Sequence, residues 1–546
     1  MVTLSFHGGI GCIGGNKFLL QDGEHTFFLD FGLPFSQRKG FYEEYLNPRP
    51  GAGLLDFLEM GLLPPIRGIY RGDLETVGLW KRFDSHKHYR EMDSLDGVLL
   101  SHAHLDHSGY ISFLRGDIPV YASALTAFVA KAMQDCAKSD VEHEVCYLTP
   151  REYSVPKSGW RLGALKGGEW NKVHSVQRPF RLADPGTASL SQEALSFWRD
   201  TPVARPMDTT PLGDMASSPL PLRSFPLDHS IPGAMAWAVE TSVGWVVYTG
   251  DIRFHGSRGG LSHNFIEQAA ALHPRALVAE GTYVESERLP VAEEEVYENA
   301  LRAARGARGL IIADFAPRDI ERLLTFRQVA RNIGRRLVVL TRDAYLLEAT
   351  ALMEPLVPPV ATDDILRIFE DSKTGPDKWE KGVFERHHGQ MVSAEEISRR
   401  QTDYMVCFSF FDLNKLPSIM PQEGSVYIYS SSEPHDEEGE LDVRRLNQWI
   451  LRFGMRPVGV PRWTEHTVAC PLGVKAECGH WAVPDEERGL HASGHATGPQ
   501  LLDMVRSIRP QTFIPVHSQT PERYLELLKG TDIEVYLPSE GGVLAL

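Results

Sequence analysis

The sequence predicts an α/β protein of more than one domain, and three observations carry that prediction. Apolar runs that read as strands end, at several points, in histidine or aspartate. From about Pro290 onward, helix and strand patterns alternate, and strand–helix–strand succession implies a parallel sheet. The chain has 546 residues, enough for two or more domains with cores of their own.

The elements follow in order. Thr3-Leu4-Ser5-Phe6 alternates as a strand, and a glycine-rich loop, Gly8 to Gly15, comes next. That loop lacks the Lys-Ser/Thr of a P-loop, and no helix pattern follows it. Phe18-Leu19-Leu20 and Phe27-Phe28-Leu29-Asp30 flank an Asp22-Gly23 turn, a hairpin signal. Leu33 to Asp93 and Pro150 to Pro219 read as irregular insertions. The second holds Trp160, Arg161, Lys166, Trp170 and Lys172. Basic residues among aromatics can stack single-stranded nucleic acid, but a surface hairpin is the simpler reading. Further on, helices near Glu293–Arg305 and Asp319–Asn332 bracket Leu310-Ile311-Ile312 and precede Leu337-Val338-Val339-Leu340. The acidic run Asp436-Glu437-Glu438 reads as a solvated loop.

Composition narrows the class. Hydrophobic content of 42% and charged content of 23% are those of a globular protein. No apolar run reaches membrane-span length, and the opening residues carry no secretory-signal pattern. Six cysteines are too few for a disulfide scaffold in a chain this long, so the expected location is the cytoplasm. A net charge of −16 counts against a broad basic nucleic-acid surface but leaves room for a site whose positive charge comes from metal ions.

One hexapeptide carries most of the chemistry: His102-Ala103-His104-Leu105-Asp106-His107, directly after Val98-Leu99-Leu100. In an extended segment His102 and His104 point the same way and can grip one ion. A turn after Leu105 would let Asp106 and His107 serve a second. Chance produces this pattern in roughly two chains per thousand of this composition. Three later residues suit the same centre: His229, Asp251 after Val246-Val247-Tyr248, and His517 after Phe513-Ile514-Pro515-Val516. Imidazole and carboxylate donors suit zinc or manganese, and two such ions can clamp a phosphoryl or acyl oxygen. Cys470 and Cys478 with His466 and His480 match no common zinc spacing.

These residues resemble a known family. His102-x-His104-x-Asp106-His107 is similar to the metallo-β-lactamase signature, with Asp30, His229 and Asp251 in the order of its other motifs. Glu280, His495 (in Ala492-Ser493-Gly494-His495-Ala496) and His517 resemble the three added motifs of the β-CASP nucleases. Gly8–Asn16 and His229-Ser230-Ile231-Pro232 are especially similar to ribonuclease J. The resemblance implies an αββα sandwich with an inserted β-CASP α/β domain: residues 1–285, then the insert 286–484, then 485–546 of the sandwich. It implies two divalent ions, zinc or manganese. One would rest on His102, His104 and His229, the other on Asp106, His107 and His517, with Asp251 bridging and Asp30 behind them. His495 would protonate the leaving oxygen, with Glu280 setting its charge; Ser493 and Gly494 would help bind the phosphate.

The implied activity is phosphodiester hydrolysis leaving a 5′ phosphate. RNA is favoured over single-stranded DNA because His517 accompanies RNA processing in the family; exonuclease and endonuclease modes both stay open. Only 29 residues follow His517, so the C-terminal domain of ribonuclease J, and dimerisation through it, is not expected. No protein partner is inferred. A small ester, lactone or thioester hydrolase is the alternative enzyme, but it leaves Glu280, His495 and the insert without a role. A binding subunit with a decayed site is countered by the full ligand set.

Overall fold

Strand Val2–Phe6 pairs antiparallel with Phe18–Asp22, which pairs antiparallel with His25–Leu29. The turn between the last two passes through Gly23 at φ 60°, as the Asp-Gly signal requires. Gly97–Leu99 and Val120–Ala122 then add in parallel on the His25–Leu29 edge. Among the described residues this sheet has eight strands, with Val543–Ala545 at the edge beside Val2–Phe6. The second sheet runs Leu222–Pro226, Met235–Thr241, Gly244–Tyr248, Ala276–Glu280, Thr512–Val516, Glu534–Val535.

The structure is a computed structural model that describes all residues but 44, 155–160, 164–173, 184, 203–205, 288, 372–374, 435 and 470–474. Trp160, Lys166, Trp170, Lys172 and Cys470 therefore lie outside the described residues, as do the side chains of Arg161, His466, Cys478 and His480.

The chain divides into two units: Met1–Phe254 with Arg258–Leu289 and Gly494–Leu546, and His255–Ser257 with Pro290–Ser493. In the first, the two sheets share one apolar core. Val2, Leu4, Phe6, Phe18, Phe27 and Leu29 from one meet Trp237, Val246, Tyr248, Val278 and Ile514 from the other. The Trp237 indole donates to Leu100 O at 3.0 Å, joining the second sheet to the backbone just before the hexapeptide. The outer face of the second sheet is covered by helices Gly259–Ala270 and Gly498–Ile508 through Phe265, Ala269, Leu501, Met504, Val505 and Ile508. Alternate residues of one strand thus serve two cores, so these strands read as continuous apolar runs rather than as alternating ones.

In the second unit, seven parallel strands form one sheet among the described residues, in the order Met391–Ser393, Leu366–Glu370, Arg336–Val339, Tyr404–Cys407, Ile311–Asp314, Val426–Tyr429, Arg456–Val458. Helices Glu293–Arg305 and Ile320–Asn332 lie where the periodicity places them, the second capped by Asp319. The strands that helix joins, Ile311–Asp314 and Arg336–Val339, are not neighbours, because Tyr404–Cys407 enters between them. Asp436-Glu437-Glu438 is the start of helix Glu437–Arg452 rather than a loop. Asp436 accepts from Gly439 N at 2.8 Å, and negative charge at a helix N-terminus offsets the helix dipole. Ser430 is absorbed into the core of this unit: Arg322, fully buried, donates to its carbonyl and hydroxyl and pairs with Glu293 at 2.8 Å.

Candidate metal centre

Strand Gly97–Leu99 ends three residues before His102. His104 keeps extended geometry (φ −64°, ψ 148°) and forms the N-cap of the short helix Leu105–Ser108. His102 and His104 therefore share a side, whereas the helical turn carries Asp106 and His107 away from them. The turn is fixed by its neighbours. Asp106 O accepts from Gly15 N at 3.0 Å and Asn16 N at 3.2 Å. A Cβ on Gly32 would lie 1.6 Å from Asp106 O, so only glycine fits there. Asp30 and His517 each follow directly on a strand end and sit in the left-handed region, at φ 57° and 50°. That conformation costs a non-glycine residue about 1–3 kcal/mol and persists where surrounding contacts hold it.

The side chains converge in three groups: His102, His104, His229 and Asp251; Asp106, His107, Asp251 and His517; and Asp251, Glu280 and His495. Within each group one donor atom per residue lies within 4.8 Å of the others. His104 Nδ1 is 3.1 Å from both His102 Nε2 and His229 Nε2. Ligands at ordinary zinc–nitrogen distances on a tetrahedral ion stand about 3.3 Å apart, so these separations suit one ion. Asp251 Oδ2 is shared: His107 Nε2 at 3.2 Å, His102 Nε2 at 3.7 Å, His229 Nε2 at 3.8 Å and His495 Nδ1 at 3.9 Å. On the other side, Asp106 Oδ2 is 3.8 Å from His107 Nε2 and 3.9 Å from His517 Nε2.

A divalent ion fits this donor set on the centre's own terms. His107 Nε2, Asp251 Oδ1 and both ring nitrogens of His517 are buried without a hydrogen-bond partner among the described residues. Yet His517 Nδ1 is only 2.8 Å from Asp251 Oδ1, so the atoms crowd together without the angles of a hydrogen bond. Each such orphan costs about 1–3 kcal/mol, and a cation among them removes the penalty. His107 would have to release a proton to an ion: burial opposes its charge, but Asp251, Asp106 and Asp30 hold it well above the usual imidazole value. Two other ligands are already in the form an ion takes. Burial, with His107 and His229 adding to it, holds His102 well below the usual imidazole value. Burial lowers His229 to about 3 against the pull of Asp251. Both rings are neutral near pH 7, the form a metal requires. Burial opposes ionisation of Asp251, but His107, His517 and His495 outweigh it and keep its carboxyl well below the usual range.

Beside this centre stands an acid–base pair. Glu280, at the end of strand Ala276–Glu280, is buried. Its Oε1 accepts from Ile252 N at 2.7 Å and its Oε2 from Thr282 Oγ1 at 2.6 Å. Oε2 also lies 2.8 Å from His495 Nδ1. Burial would lower His495, but Glu280 and then Asp251 raise it to about 9. One fifth of the His495 side chain remains exposed. This places a protonated imidazole, open on one side, next to the donor clusters.

The nine residues named for metal binding and proton transfer thus come together within the first unit, with Asp30 behind them: His107 Nδ1 is 2.6 Å from Asp30 Oδ2. Gly494 serves His229 through its carbonyl, 2.6 Å from Nδ1, and a Cβ there would press on the His229 ring at 3.0 Å. Ser493 belongs to the second unit, and its carbonyl lies 3.0 Å from His255 Nε2. Sequence reasoning missed Ser101, Asn16, Tyr248 and Thr282. Ser101 N and Oγ both donate to Asp30 at 2.7 Å. Its place just before His102 is the only signal that could have marked it.

Residues 487–538 match a family model described as a Zn-dependent metallo-hydrolase RNA specificity domain. Ribonuclease J of Mycolicibacterium smegmatis is 22% identical over 83% of this chain and 63% of its own. Ribonuclease J of Sinorhizobium meliloti is 21% identical over 78% of this chain and 58% of its own. Ribonuclease J 2 of Streptococcus pyogenes is 21% identical over 94% of this chain and 69% of its own. The chain spans about three fifths of the length of the first two. A crystal structure of a protein of unknown function from Enterococcus faecalis V583 matches with a TM-score of 0.64 and 20% identity, covering 100% of both chains. The fold is a mixed α/β one of the metallo-β-lactamase/β-CASP class, and the chain is similar in sequence to ribonuclease J over most of its length. Among the described residues no helix is long and apolar enough to cross a membrane.

Proposed function

We propose that this ribonuclease J-like chain is a metal-dependent nuclease that hydrolyses phosphodiester bonds, with RNA as its substrate and the cytoplasm as its location. The observation that carries the reading is the His495–Glu280 pair, 2.8 Å apart, standing against two donor clusters that share Asp251. A small-molecule hydrolase on the same donors has no task for that pair. The RNA specificity model, which spans 487–538 and so includes His495 and His517, supports RNA.

In this reading His102, His104 and His229 would hold one ion, Asp106, His107 and His517 the other, and Asp251 would serve both. Residues 1–285 and 485–546 form the metal-bearing domain and 286–484 the insert. When bound, two divalent ions, zinc or manganese, neutralise the non-bridging phosphate oxygens and lower the pKa of water enough to make a nucleophile at neutral pH. The protein does the rest. Asp30 fixes His107 as the tautomer whose Nε2 lone pair faces the centre. Gly494 does the same for His229. Glu280 keeps His495 protonated, and its Nε2–H is delivered to the departing 3′ oxygen, leaving a 5′ phosphate on the product. The Gly494 backbone assists on the phosphate.

The test is an end-labelled digestion series on RNA and single-stranded DNA bearing 5′ monophosphate, triphosphate or hydroxyl ends, with manganese or zinc. Cleavage of RNA in preference to DNA is expected. Mononucleotides from the 5′ end would assign an exonuclease and internal fragments an endonuclease. Hydrolysis of esters or lactones with neither nucleic acid cut would overturn the proposal.

A further inference from the structure

A chain of buried hydrogen bonds reaches one half of the metal centre from a residue with no assigned role. Tyr248 ends strand Gly244–Tyr248 and is 1% exposed. Its ring packs edge-on against Phe18, centroids 5.8 Å apart. Asn16 Nδ2 donates to the Tyr248 hydroxyl oxygen at 3.0 Å. That oxygen's own proton is thereby turned the other way, to Asp30 Oδ2 at 2.6 Å. Asp30 Oδ2 also accepts from Ser101 Oγ at 2.7 Å and faces His107 Nδ1 at 2.6 Å, while Oδ1 accepts from Ser101 N at 2.7 Å. The carboxylate is wholly buried in a left-handed backbone conformation, so its rotation depends on these donors. Tyr248 is the one that approaches from the opposite sheet.

The consequence is selective. With Nδ1 committed to Asp30, Nε2 is the nitrogen His107 can offer an ion, and it lies 3.2 Å from Asp251 Oδ2 and 3.8 Å from Asp106 Oδ2. His229 takes its orientation from Gly494 O, and His102 Nδ1 lies 3.0 Å from Ser101 Oγ. We propose that Tyr248, oriented by Asn16, is a positioning residue chiefly for the ion held by Asp106, His107, Asp251 and His517, acting through Asp30, and affects the ion on His102, His104 and His229 much less, because His107 meets Asp30 directly whereas His102 reaches it at one remove, through Ser101 Oγ. The inference rests on the two-ion reading above.

Tyr248→Phe removes one hydroxyl and keeps the ring against Phe18. Outer partners of metal ligands are worth about 10- to 100-fold in metal affinity. Titration of chelator-stripped protein with Mn²⁺ or Zn²⁺ against a competing chelator, with bound metal counted by mass spectrometry, is expected to show two ions in the wild type. In Tyr248→Phe one should bind at least tenfold more weakly and the other within twofold. Asn16→Ala should weaken the same ion by less. The melting temperature of the stripped Tyr248→Phe protein should stay within a few degrees of wild type, which a purely structural role would not allow. Equal weakening of both ions, or of neither, overturns the inference and leaves the two-ion reading standing. A wild-type protein that holds fewer than two ions overturns the reading itself, and this inference with it.

Discussion

Replacing Glu280 with glutamine separates the charge of the acid–base pair from its shape. The amide side chain of Glu280→Gln would fill the same buried volume. Its single carbonyl oxygen cannot serve both the Ile252 N–H and the His495 Nδ1–H, which Glu280 meets at 2.7 and 2.8 Å with different oxygens. The Glu280 charge, the largest of those that raise His495, is lost, and burial, which lowers it, remains. In the wild type the imidazole, at about 9, is roughly nine-tenths protonated at pH 8; at the ordinary 6.5 it would be about 3% protonated. The proton donor for the leaving oxygen thus falls by about thirtyfold at pH 8. Activity needs the acid form, so it declines as pH rises through the His495 pKa. The assay is kcat on a defined RNA from pH 6 to 10 with saturating manganese. The alkaline limb should move from near pH 9 toward 6.5, with kcat at pH 8 down by at least about tenfold. Coincident alkaline limbs for wild type and Glu280→Gln would refute the assignment of His495 as the acid.

Three further outcomes are expected. Burial raises Asp314 to about 7 although Tyr427 donates to it at 2.6 Å. Its folded pKa exceeds the unfolded value of about 3.8, so the folded chain binds more protons between these values and stability falls as pH rises from about 4 to 7. Asp314→Asn should remove up to about 4 kcal/mol of that slope, read from urea melts across the range. Arg322→Met strands the buried Glu293 carboxylate and should cost about 3–5 kcal/mol, checked by the same melts at pH 7. Gly32→Ala drives a methyl into Asp106 O and should weaken metal retention by at least about tenfold in chelator competition.

Much of the centre was legible because its residues sit at strand ends, where an apolar run stops and a ligand type begins. Asp30, Asp251 and His517 carry that signal, and the hexapeptide adds the two-face spacing of His102 and His104. The helices at Glu293 and Ile320 were legible from 3.6-residue periodicity. What was not legible is what depends on three-dimensional neighbours. Nothing local marks Tyr248 as a partner of Asp30, because the two are 218 positions apart and meet across the sandwich. The entry of Tyr404–Cys407 between two strands joined by a single helix is a matter of sheet order, which periodicity does not encode. Asp436-Glu437-Glu438 misled because acidic residues suit both a solvated loop and the first turn of a helix.

Two clusters sharing Asp251 are proposed to hold the ions that make this chain cut RNA. The direct measurement is cleavage of a defined single-stranded RNA by chelator-stripped protein before and after Mn²⁺ or Zn²⁺ is restored, with product ends identified. No cleavage is expected until metal returns, then fragments carrying 5′ phosphate, and none from His104→Ala under either ion. Cleavage that persists without metal, products ending in 3′ phosphate, or full activity of His104→Ala would contradict it.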